Sequence, residues 1–92
     1  MSDIRTITNE SWALEKKLDA ALAAVRAEAL RAMTKHGPMH SPHEAFGVIF
    51  EEFNIEFALE MKANNHDAQR VEMVQCAAMC VRALVDVYGP GK

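Results

Sequence analysis

The chain has 92 residues, half of them hydrophobic, with one Trp, one Tyr and four Phe; that is enough for one packed domain and too apolar for a disordered chain. Thirteen acidic against ten basic side chains leave a net charge of −3, so the balance offers no basic surface to a phosphate backbone and excludes a nucleic-acid partner from the expectation. No stretch approaches the roughly 20 apolar residues that cross a bilayer, so no membrane span is expected either.

Residues 1–8 read as an extended or frayed lead-in. Met1-Ser2-Asp3-Ile4-Arg5 has no basic region ahead of an apolar run; no signal peptide is expected, and the expected location is the cytoplasm. Thr8 or Asn9 can cap a first helix over residues 9–35, with Glu10 in its acidic first turn. Leu14, Leu18, Ala21, Leu22, Val25 and Ala29 recur at steps of three and four, the mark of one apolar stripe. Gly37-Pro38 ends the helix.

The second helix, residues 42–62, has the clearest start. Ser41-Pro42-His43-Glu44 places Ser at the N-cap, Pro at the first helical position and Glu at the third, a capping box with a preset φ. Phe46, Phe50, Phe53, Phe57 and Met61 follow at helical spacing and predict an aromatic core stripe. Ala63-Asn64-Asn65-His66-Asp67 is turn-forming, and Asn65 or Asp67 can cap a third helix over residues 68–88, closed by Gly89-Pro90-Gly91.

Val71, Val74, Ala78, Val81, Val85 and Tyr88 form the main stripe of that third helix, while Met73, Cys76, Ala77, Met79, Cys80 and Leu84 make its other faces apolar too. A helix apolar nearly all round is covered on more than one side. Two neighbouring helices hardly achieve that. The fold expected is therefore all-α, three helices per chain, with helices 2 and 3 pairing with a second chain into the bundle-like core of a homodimer or tetramer. Cys76 and Cys80, four apart on one helix, read as reduced small hydrophobes.

Two groups of side chains invite chemistry. Glu51, Glu52, Glu56 and Glu60 lie on helix 2 and Glu72 near the start of helix 3, with Glu52, Glu56 and Glu60 on one face. Like charges at that spacing repel unless a cation offsets them. The arrangement reads either as a solvated acidic face or as a carboxylate cage for Mg²⁺ or Mn²⁺, hard ions that prefer oxygen and bind phosphate. His36, His40 and His43 flank the helix 1–2 turn, where Gly37-Pro38 and Ser41-Pro42 interrupt any helix that would align them; clustered imidazoles suit zinc, but this spacing does not require convergence. His43 opens helix 2, where an anionic ligand could be met.

The stretch Lys35-His36-Gly37-Pro38-Met39-His40-Ser41-Pro42-His43-Glu44-Ala45-Phe46, then Glu51-Glu52 and Glu72-Met73-Val74-Gln75-Cys76-Ala77-Ala78-Met79, resembles short phage- and prophage-type relatives of MazG. It is thereby similar to the all-α nucleoside triphosphate pyrophosphohydrolases. The likeness covers residues 25–86. The family's pattern is Glu-Glu-x-x-Glu on one helix and Glu-x-x-Asp on the next, the carboxylates holding Mg²⁺ against the substrate's phosphates. Glu52 matches the second Glu of the first motif and Glu72 the Glu of the second. Ile55 stands where the next ligand would be and Glu56 one residue later, as if one residue had been inserted; a π-bulge would absorb it and return Glu56 to the ligand face. Gln75 replaces the Asp.

The resemblance implies a metal held by Glu52, Glu56 and Glu72, with Gln75 as a neutral ligand or water-positioner and Glu51 as the candidate base. It also implies that Lys35, Arg70 and Arg82 meet phosphate. The activity implied is hydrolysis of a nucleoside triphosphate to monophosphate and pyrophosphate. Ile55 and Gln75 open a second reading, a catalytically inactive relative that binds a protein partner or a nucleotide in a regulatory or anti-defence role.

Overall fold

Three helices make up the described part of the chain, residues 4–91 of a computed structural model with side chains placed from Glu10 onward. Helix α1 runs over Ile4–Lys35. Helix α2 is one continuous rod built from an α-helical piece, Pro42–Phe50, a π-helical turn, Glu51–Phe57, and a last α-helical piece, Ala58–Lys62. Helix α3 spans His66–Asp86. No strand occurs among the described residues, and no described helix is long and apolar enough to cross a membrane.

Each boundary has a local cause. Glu44 N–H donates to the Ser41 hydroxyl at 3.1 Å, with Pro42 at the first helical position, so α2 starts where the sequence places it. The Glu44 carboxylate reaches back to the N–H of His40 at 3.0 Å, one residue beyond the usual partner. At the other end, Asn64 takes a positive φ of 54° while its N–H donates to Met61 O and that of Asn65 to Glu60 O, at 3.1 and 3.2 Å. This pair of bonds is a Schellman ending, and Asn tolerates the left-handed conformation it needs. Asn65 then caps α3 directly, its side-chain oxygen accepting from Ala68 N–H at 3.1 Å. The helix accordingly opens two residues before the expected Ala68, and it ends at Asp86 instead of Tyr88. Gly89 follows where a Cβ would lie 2.6 Å from the carbonyl oxygen of Val85.

The start of α1 differs from expectation. The helix continues back through Asn9 and Thr8 to Ile4, so neither acts as a cap; no Pro or Gly interrupts residues 4–8, and Thr and Asn cost a helix only about 0.7 kcal/mol each relative to Ala. Residues 1–3 of the expected lead-in lie outside the described residues.

Helix α3 packs against both other helices, whereas the α1 and α2 backbones do not approach each other directly. The buried apolar side chains are Ala29, Ala32, Met39, Ala45, Ala78, Met79 and Ala83, with Ala78 at 0% exposure. None is larger than methionine. Of the expected core stripes, only Ala29 on α1 and Ala78 on α3 are fully buried, with Val25, Val74 and Val81 half-buried. Phe46, Phe50 and Phe53 are exposed, Phe46 at 69%, and Phe57 is half-buried. They stack in pairs along α2, Phe46 on Phe50 and Phe53 on Phe57, each with centroids 5.9 Å apart. Leu14, Leu18 and Leu22 stand free on α1, Leu14 at 66%, and Val71, Val85 and Tyr88 are exposed on α3. Cys76 and Cys80 are free thiols, the first half-buried and the second exposed.

The loop between α1 and α2 is tied to α3 by two charged side chains. Arg82 donates to Gly37 O at 3.0 Å, and Asp86 accepts from Met39 N–H at 2.9 Å. Loss of the α2 cap is the simplest test of this frame: Ser41→Ala should lower stability by about 0.5–2 kcal/mol in denaturant unfolding, and Ser41→Asp should restore most of it. An unchanged midpoint for Ser41→Ala would contradict the capping bond.

Candidate functional site

The π-helical turn decides where the acidic residues of α2 point. Its hydrogen bonds reach back five residues instead of four, so it takes up one more residue per turn than the flanking α-helix. Glu52 and Glu56, one turn apart, share one side of α2 through this turn, and the π-turn stands where the implied one-residue insertion put it. The tight Asn64-Asn65 hairpin then lays α3 antiparallel beside it and brings Glu72 opposite. Glu52, Glu56 and Glu72 each offer a carboxylate oxygen within 4.8 Å of the other two, and all three side chains are half-buried. Ile55, which the resemblance set at a ligand position, is exposed.

Three carboxylates so close cannot all ionise cheaply. Burial first, then the neighbouring Glu56 and Glu72, push the Glu52 carboxyl up to about 7. Burial and Glu56 push Glu72 in the same direction. One oxygen of Glu52 and one of Glu72 are buried without any hydrogen-bond partner. Oxygen donors of this kind, crowded, partly desolvated and short of partners, fit a hard divalent cation in their chemistry.

Next to the carboxylates is a cleft of about 540 Å³, bounded by the end of α1, the α1–α2 loop, α2 and α3. Glu51, Glu52 and Gln75 line one part of it, and Arg31, His36 and Arg82 another. Arg82 is 5% exposed, and besides Gly37 O its only other acceptor is the Met79 sulfur, at 3.3 Å. Its Nε–H is buried without a partner, and no described carboxylate lies within ion-pair distance. A buried guanidinium without a counter-charge favours an anion arriving from the cleft.

Glu51, Glu52, Gln75 and Arg82 thus share one cleft, with Glu56 and Glu72 joined to it through Glu52. The other two basic residues singled out from the sequence are not brought there. Lys35 ends α1 on the exposed surface, and Arg70, also exposed, pairs with Asp67 at 3.4 Å. His36 and His40 line the cleft and His43 does not. Two cleft residues had gone unnoticed, Glu28 and Arg31. Arg31 donates from Nε to Glu28 at 2.9 Å and holds that carboxyl below its usual range. Their three-residue spacing one turn before the helix end was the available signal.

The raised carboxyl predicts a pH dependence. Between the ordinary 4.5 and about 7, the folded chain keeps a proton on Glu52 that the unfolded chain has released, so unfolding free energy falls as pH rises through that window. Glu72 adds to the fall. The metal-free protein should melt at a lower temperature at about pH 8 than at about pH 5, and Glu52→Gln should flatten the curve; a melting temperature that rises over this range would contradict the carboxylate contact.

No protein-family model matches the chain, and no curated protein or solved structure matches it significantly.

Proposed function

We propose that the chain is a Mg²⁺- or Mn²⁺-dependent nucleotide pyrophosphohydrolase of the MazG-like kind. It would cleave a nucleoside triphosphate with one water into the monophosphate and pyrophosphate. The observation that carries this reading is the convergence of Glu52, Glu56 and Glu72 across the α2–α3 hairpin, with the π-turn supplying the register. The motif likeness supports the same assignment.

Within this reading Glu52, Glu56 and Glu72 hold the cation, and Gln75 offers its amide oxygen as a neutral ligand or positions water. A bound cation would offset the crowded negative charge and take up phosphate oxygens. Arg82 meets the phosphates from the same side of α3 as Gln75, two turns further on, with its unpartnered Nε–H. Glu51, exposed on the cleft wall, is the group able to accept a proton from the attacking water. The reading also holds that the protein acts in the cytoplasm as a homodimer or tetramer, with α2 and α3 forming the pairing surface. The observation supporting that is the band of exposed apolar side chains on both helices.

Gln75 favours one alternative. It lines the cleft where the family motif has Asp, so the site keeps three carboxylates and lacks a fourth. An inactive relative that retains nucleotide or protein binding would have this composition.

Metal and turnover can be measured separately. At Mn²⁺ ten times its dissociation constant, stability should rise by about 1.4 kcal/mol, a gain of several degrees in Tm. Glu72→Gln should abolish that gain while preserving helical content. Gln75→Asp should tighten Mn²⁺ binding and raise pyrophosphate release from a panel of nucleoside triphosphates. Metal binding without turnover in both proteins would leave the inactive reading. No Mn²⁺ response in either would overturn the carboxylate site.

A further inference from the structure

The side of α3 that faces away from the cleft carries Met73, Ala77, Cys80 and Leu84 in one row, by the helical period. Met73, Cys80 and Leu84 are exposed, Leu84 at 61%. The row continues onto α2: Phe50 and Phe53 border an apolar groove with Cys76, and Phe57 borders another with Met73. None of these eight side chains is charged, and the nearest charge, Arg70, lies at the edge of the second groove.

The chain as a whole exposes too much surface to be complete alone. Its accessible area is 7059 Å², against about 5,300 Å² for a compact chain of 10.2 kDa, an excess of about 1,700 Å². Its radius of gyration is 16.7 Å where about 12 Å is normal for this length. A standard interface takes roughly 800 Å² from each partner, and obligate homodimers take more. The excess is of the size an obligate self-association removes, and it is shared between the first half of α1, exposed from Glu10 to Ala24, and the outer faces of α2 and α3.

We propose that a second copy of this chain covers the outer face of α3, the two α3 helices crossing antiparallel about a two-fold axis that passes between Ala77 and Cys80. The inference rests on the self-association in the reading above and is independent of its metal chemistry. The spacing of the row fits that occupant. Steps of four, three and four residues from Met73 to Leu84 read the same in both directions. Across a two-fold axis, Met73 therefore meets the partner's Leu84, and Ala77 meets the partner's Cys80. The large residues lie at the ends and the small ones at the axis, which lets helices approach to about 8 Å. A two-fold contact lays the row against its own copy, so a row with charge of one sign would repel itself; this row has no charge. The phenylalanines of each α2 then close over the flanks and leave the apolar groove beside α3 filled.

The full chain should elute, by light scattering at about 10–100 µM, with a mass twice 10.2 kDa or a multiple of that. Leu84→Glu and Met73→Lys should each raise the dissociation constant by about 100-fold or more. Leu84 and Met73 are exposed in the single chain, so any loss of helix in these variants reports loss of the partner. Mixing the two variants should restore both dimer mass and helical content, because the new Glu and Lys then face each other and the native Met73 and Leu84 remain paired. In Cys76→Ser, where Cys80 is the only thiol, a bismaleimide of about 8 Å span should link most chains into covalent dimers, and Leu84→Glu should prevent it. A native dimer or tetramer unaffected by either substitution would overturn this face while leaving self-association standing. Two dissociated variants that do not rescue each other would overturn the antiparallel register. A native monomer would overturn the contact altogether, and co-sedimentation of that monomer with phosphatidylcholine vesicles would assign the face to lipid.

Discussion

Alanine is what holds this chain together. Helix α3 lies against both α1 and α2, and the residues at those contacts are Ala29, Ala32, Ala45, Ala78 and Ala83, joined by Met39 and Met79. Small side chains let backbones come close, and close backbones leave no room between them for Phe or Leu. The larger apolar residues consequently face outward, as the phenylalanine ridge of α2 and the leucines of α1 do. Such a core removes little apolar area from water. At roughly 25 cal/mol per Å², a handful of alanines contributes far less than the conformational entropy of ordering 92 residues consumes. The same constraint that sets the helix packing thus leaves the packing of one chain unfinished.

Because α3 is central, its two sides have opposite characters. The side toward the cleft carries Glu72, Gln75, Arg82 and Asp86, and the side away from it carries Met73, Cys80 and Leu84. Arg82 belongs to the architecture as well as to the cleft, since with Asp86 it secures Gly37 and Met39 and so holds the loop that closes the cleft's end. Arg82 is a buried charge supported by one carbonyl and one sulfur, an arrangement short of the hydrogen bonds such a group needs. A cleft that keeps a partly satisfied guanidinium beside crowded carboxylates has opposite charges to offer two ends of one ligand.

The π-turn links sequence to site most directly. An α-helix through residues 51–57 would also leave Glu52 and Glu56 one turn apart on one side; the wider turn takes up one residue more and changes the angle at which Glu56 and the residues after it meet α3. The gathering of Glu52, Glu56 and Glu72 works against the fold at neutral pH, and its cost is expressed in the raised carboxyls of Glu52 and Glu72. Features that oppose stability in this way tend to belong to function.

Local signals were sufficient for the elements. Ser41-Pro42 and Asn65 specify where α2 and α3 begin, because a cap acts within one turn of the chain. The resemblance led to the expectation of a π-bulge before Glu56 and of the set Glu52, Glu56 and Glu72, and a π-turn and that cluster lie there. Arg82 could be placed with Gln75 from helical spacing alone. What lay beyond reach was which side of each helix the others would cover. Periodicity marks the apolar stripes of α1, α2 and α3 equally, and it cannot tell a stripe buried within a chain from one left outside it. The tertiary structure settled that choice in favour of the alanines. It also separated Arg82, buried at the cleft, from Lys35 and Arg70, which sit on the exposed surface, and it brought Glu28 and Arg31 to the cleft from α1. These outcomes depend on how closely helices distant in sequence approach one another, and that distance is set by the smallest side chains between them.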